Sequence, residues 1–169
     1  MGEKSGEISR GLRTADSVIL RCVSTYSVVV ALHIIAVIAA YGLPLTAPLL
    51  VPYVRRHHPA ALPGLHAAQY RLNNVVTGPG TVLVLGFGIY LASKGHYWDE
   101  PWVAVGIAVL AVIAVVGGGV VVPATQRLSQ LDPASAEYDR VYRRYLVAET
   151  LLAALVLIAI FFMAAKPFT

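Results

Sequence analysis

The sequence predicts an all-α fold, a polytopic membrane protein whose four transmembrane helices form an antiparallel bundle. Three observations lead there. Of 169 residues, 57% are hydrophobic and only 13% charged, where an average soluble domain is about 25% charged. Between Arg21 and Arg55 no formal charge interrupts the chain, a run longer than the roughly 20 apolar residues that cross a bilayer as a helix. Further apolar runs follow it, separated by short links that collect basic and aromatic residues. The length suits a single domain.

The chain opens on a polar tail, residues 1–22, which carries charges of both signs. No short apolar core followed by a small-residue cleavage site is present, so the tail is expected to be retained. Thr14-Ala15-Asp16-Ser17 supplies N-cap residues, and Arg10, Arg13 and Arg21 suit a segment lying partly in the interface. The membrane domain then occupies residues 23–169. Span one, about residues 23–53, ends with Pro44, Pro48 and Pro52. Each proline removes an N–H and crowds the preceding turn, so this end is expected to kink or unwind.

The link from Arg55 to Asn74 is basic and contains no acid, and Leu65 to Asn73 can form a short amphipathic helix. Span two, about residues 75–93, opens with Thr77-Gly78-Pro79-Gly80, and Gly80, Val84 and Gly88 share one face. Tyr97, Trp98 and Trp102 form an interfacial aromatic cluster. Pro101 fits the first turn of span three, about residues 102–123, whose far half is loosened by Gly117, Gly118 and Gly119. Arg127, Arg140, Arg143 and Arg144 crowd the next link, and a helix through Glu137 and Tyr142 runs into span four, about residues 146–165. Even span number puts both termini on one side. The arginine-rich links predict that side to be external, with the links cytoplasmic.

The net charge of +4 is spread between the apolar runs rather than gathered in a stripe. That excludes a nucleic-acid surface and fits a lipid bilayer as the main partner. Cys22 is the only cysteine, so neither an internal disulfide nor a thiolate metal cluster can form. No phosphate-cradling glycine loop is present, and no nucleophile, histidine and carboxylate fall in one plane of the bundle.

Four groups of residues carry the chemistry that can be read. His33 is an ionisable group inside a span, and neutral imidazole is a good ligand for haem iron or copper. Ala36 and Ala40 continue its stripe and would let a flat ring approach the helix. The plainer alternative is a hydrogen bond from His33 to a carbonyl or tyrosine across the bundle. Glu149, early in span four, lies at the level of Arg127 and Arg144 and is expected to form a structural ion pair with them. His57, His58 and His66 have no carboxylate near them and read as solvated loop histidines. Ala36, Ala40, Gly80, Gly88, Gly117, Gly118 and Gly119 read as helix-packing positions.

Taken in order, these residues resemble a known family. His33 with Gly42 downstream, Thr77-Gly78-Pro79 opening span two, and Gly88-Ile89-Tyr90-Leu91 closing it are joined by Trp102, Pro123 and Gln126-Arg127. The pattern is similar to that of small four-helix bacterial proteins known only as predicted integral membrane proteins of unknown function. That group is distantly similar to haem-binding membrane protoporphyrinogen oxidases and to copper-resistance D membrane proteins. Where the oxidases have a tryptophan-containing stretch, this chain has Tyr41-Gly42-Leu43, and span three lacks the oxidases' intramembrane lysine. His33 is the one oxidase position that carries over. The resemblance implies haem b or porphyrin held through His33 as metal ligand, in a redox role, in a bacterial-type plasma membrane. The alternative is a non-catalytic accessory or scaffold subunit, whose small-residue faces pack on other membrane subunits or on further copies of the chain.

Overall fold

The computed structural model describes residues 24–165. The polar tail, its cap candidates and the final residues 166–169 lie outside that range. Four helical segments, Thr25–His57, Pro59–Gly95, Pro101–Leu128 and Ala136–Ala165, are each long and apolar enough to cross a membrane. Among the described residues there is no strand, and the molecule is an all-α four-helix bundle.

The first segment is helix α1, Thr25–His57. Ser24 caps it, its hydroxyl accepting from the Ser27 N–H at 3.1 Å. The expected unwinding near Pro44, Pro48 and Pro52 does not occur, and the helix runs through all three. The remaining backbone bonds and the packing of Ala47 and Val51, 1% and 0% exposed, hold it in place of the missing donors.

The second segment is built from α2, Leu62–Leu72, and α3, Gly78–Gly95, joined by a π-helical turn over Asn73–Thr77. The expected amphipathic helix and span two are therefore one nearly continuous rod. The third repeats the device. Helix α4, Pro101–Val116, passes through a π-turn at Gly117–Val121 into α5, Val122–Leu128. In both rods the wide turn stands just before a proline at the second position of the next helix, Pro79 and Pro123. A proline cannot donate to the carbonyl one turn back. The Gly78 and Val122 N–H groups reach back instead to the Asn73 and Gly117 carbonyls. The fourth segment is a single helix, α6, Ala136–Ala165.

Around the bundle the order is α1, α3, α4, α6, with α1 against both α3 and α6, and α2 packed on α5 at the arginine-rich end. Outward residues are large and apolar, with Leu49 80% and Val115 73% exposed. A soluble protein would bury them, so the outer surface is one made for lipid. Inside, small residues set the spacing. A Cβ added to Gly80 would stand 2.8 Å from the Ala40 Cβ, so α1 and α3 touch there in a way only glycine permits.

Gly80→Ala is expected to cost about 1–3 kcal/mol by forcing the helices apart. Gly86→Ala, whose new methyl meets nothing within 4 Å, should be neutral or stabilising by up to about 1 kcal/mol. Reversible unfolding of both variants in mild detergent checks this, and equal stabilities would refute the close approach.

Candidate functional site

The bundle divides into two halves of different chemistry. The half near the start of α1 and the end of α6 holds a half-open cavity of about 620 Å³ between α1, α3, α4 and α6. Its walls are almost wholly aliphatic and aromatic, with Val84, Ile113 and Met163 among them, and His33 is the only ionisable imidazole lining it. Trp102 and Tyr97 stand at its outer end with ring centroids 5.3 Å apart. Tyr41 lies deeper, its hydroxyl 3.0 Å from the Thr81 hydroxyl.

His33 is half-buried, and its ring lies along α3. A Cβ at Gly88 would come 3.5 Å from its Cε1, ordinary van der Waals contact, so the imidazole packs directly on α3 there. The Val84 backbone carbonyl, one turn earlier, hydrogen-bonds the ring. Nδ1 is buried without a hydrogen-bond partner. With a ring N–H directed to a carbonyl, the other nitrogen presents a lone pair, the arrangement by which proteins orient a ligating histidine. The Ala36–Ala40 stripe does not form the expected slot for a flat ring. Gly80 of α3 fills it at Ala40, and the open space lies higher, at His33 itself. A Cβ added at Gly117 would stand 3.7 Å from Leu152 Cδ1, while one at Gly118 or Gly119 would meet nothing within 4 Å.

At the arginine-rich end a buried polar network replaces the cavity. His66 is fully buried, contrary to the expectation of a solvated loop histidine. It sits on α2, which lays its Leu62, His66 and Gln69 face inward. Gln69 Nε2 donates to the Tyr145 hydroxyl at 3.0 Å. Its Oε1 therefore accepts from His66 Nδ1–H, also at 3.0 Å, and His66 Nε2 accepts from the Tyr138 hydroxyl at 3.1 Å. Arg55 stacks over Tyr142 at 4.3 Å and pairs with Asp139. His57 and His58 are exposed as expected.

Glu149 belongs to this half, 4% exposed. The expected ion pair with Arg127 and Arg144 does not form. Both arginines are exposed, and five residues along a helix carry Arg144 well away from the inward face that Glu149 occupies. The ion pair among the described residues is Arg55–Asp139. No group of three or more histidine, cysteine or carboxylate side chains converges as a metal site among the described residues.

Tyr138→Phe removes the donor to His66 Nε2 and leaves a buried acceptor unpaired, expected to cost about 1–3 kcal/mol. Tyr53→Phe, on a side chain 56% exposed, should be neutral. Paired unfolding curves in detergent test the difference, and two neutral variants would show that the network contributes nothing to stability. No protein-family model matches this sequence, and neither does any curated protein or solved structure.

Proposed function

We propose that this is a multi-pass membrane protein that holds b-type haem or a related porphyrin in the interhelical cavity, where His33 would ligate the metal, in a redox role. One observation carries the reading: His33 lines a largely apolar cavity of about 620 Å³ and keeps a ring nitrogen, Nδ1, without a hydrogen-bond partner. Ligand pockets range over about 300–1,000 Å³ and typically combine apolar walls with few polar anchors. Haem iron bound there would supply one-electron chemistry. The chain's own part is to orient the imidazole through the Val84 carbonyl, to pack its ring on α3 at Gly88, and to set Trp102 at the cavity's outer end. Lys94 and His96 are exposed at the same end of the bundle and suit the carboxylates of a porphyrin edge.

The proposed location is a bacterial-type plasma membrane, with termini external and the links cytoplasmic. Arg55, Arg56, Arg71, Arg127, Arg140, Arg143 and Arg144 all gather at the link end, against Asp132, Glu137 and Asp139. Basic residues flanking spans are retained on the cytoplasmic side. A second reading, an accessory subunit, is favoured by the open faces at Gly86, Gly118 and Gly119, where another helix could pack closely.

Absorption spectra of detergent-purified protein, oxidised and reduced, separate the two. The haem reading expects a Soret band in the wild type that His33→Ala reduces by about tenfold or abolishes. A colourless wild type after haem-sufficient expression overturns it. Pull-down of a stoichiometric membrane partner, lost on Gly118→Leu, would then support the subunit reading.

A further inference from the structure

The outward face of α6 belongs neither to the His33 cavity nor to the buried polar network. Tyr138, Tyr142, Tyr145 and Leu152 turn one side of the helix inward. Arg140, Arg143 and Arg144 fall on the opposite side, and all three are exposed. The same stripe continues through Val147, 70% exposed, and Leu151, 49% exposed, to the exposed Ala154. One helix face therefore passes directly from three arginines to aliphatic surface.

The arginines are left without a counterion. Among the described residues the ion pair is Arg55–Asp139, so no carboxylate in contact neutralises any of the three. Glu137, a turn before Arg140, is exposed and pairs with none of them. Beyond the arginines, Leu146, Val147, Thr150, Leu151 and Ala154 line a shallow open groove to which no other helix contributes. Thr150 donates its hydroxyl to the Leu146 carbonyl at 2.8 Å, so its O–H is engaged within the helix.

The dimensions match one leaflet. At a rise of about 1.5 Å per residue, residues 146–165 extend about 30 Å, the thickness of a bilayer's hydrocarbon core. The arginines then stand at headgroup level. From Arg144 to Ala154 the helix covers about 15 Å, half of that core.

We propose that this face of α6 binds one anionic phospholipid, its phosphate held by Arg140, Arg143 and Arg144 and an acyl chain laid along Val147, Leu151 and Ala154. The guanidinium fork matches phosphate oxygens and stays charged at any physiological pH. A zwitterionic lipid could use the groove but would leave the excess positive charge unanswered. A free phosphate could use the arginines but not the groove. An anionic lipid answers both.

Native mass spectrometry of the full chain, released from mixed micelles of phosphatidylglycerol and phosphatidylcholine of equal chain length, tests this. The wild type should retain phosphatidylglycerol preferentially. Arg143→Gln should lower that preference about fivefold, the effect of one basic residue at a membrane surface. Ala154→Phe, which fills the groove, should weaken retention as well, while Arg71→Gln, at an exposed arginine of α2, should leave the preference unchanged. Equal retention of the two lipids by the wild type overturns the proposal. So does an equal loss in Arg71→Gln, which would mark general surface charge. Displacement of the lipid by inorganic phosphate, or full retention in Ala154→Phe, would reduce the face to an anion site and overturn the lipid assignment. A lipid-free dimer that Leu151→Trp dissociates would give the face to a second copy of the chain, with the same consequence. If Arg143→Gln does not fold, Arg144→Gln decides by the same readout.

Discussion

Hydrocarbon offers no hydrogen bonds, so every backbone and side-chain polar group inside the membrane must be satisfied by the protein itself. That constraint shapes this fold more than any single contact. It explains why α1 stays helical through its prolines, and why both later rods absorb Pro79 and Pro123 with a π-turn instead of a loop. It also explains the threonines. Thr46, Thr81, Thr125 and Thr150 each turn the hydroxyl back onto a carbonyl of the preceding turn. A hydroxyl bonded within its own helix can face lipid or a packed core at little cost.

The same constraint divides the molecule. At one end, polar groups are gathered into a chain in which His66, Gln69, Tyr138 and Tyr145 satisfy one another across α2 and α6. At the other, polar groups are nearly absent and helix separation leaves a cavity, with His33 as its exceptional member. The close approach of α1 and α3 at Ala40 and Gly80 lies between them and pins the two helices together. Below that contact the bundle is tight and polar, and above it the bundle opens.

Much of the fold was legible because lipid leaves a plain signature. Long uncharged runs specified four spans, and Gly80 on a shared face with Gly88 announced close packing. The rods were harder to see. Pro79 and Pro123 read as starts and stops, since a π-turn that carries a helix through a proline has no composition of its own. His66 was missed for a different reason. Paired in the reading with His57 and His58, it looked like a loop residue. Yet Leu62, His66 and Gln69 fall at positions i, i+4 and i+7, as do Tyr138, Tyr142 and Tyr145. Two polar stripes at core spacing are the signal that their helices bury those faces against each other. The same periodicity carries Glu149 and Leu152 inward, which would have separated Glu149 from the outward Arg144.

Placing ionisable groups at both ends of one bundle has a physical consequence. His33 and Glu149 sit in opposite halves, separated by the packed layer at Ala40 and Gly80, so neither can neutralise the other by contact. Each must therefore be balanced locally. The His33 ring is bonded to the Val84 carbonyl within its own half. Glu149 is buried on the inward stripe of α6 that Tyr145 and Leu152 share. A change of charge in one half alters the cost of a charge in the other only through the intervening low-dielectric layer, where Coulomb interactions are screened far less than in water. A bundle built this way keeps the apolar cavity at His33 and the polar network of His66 and Tyr138 in separate halves of one fold.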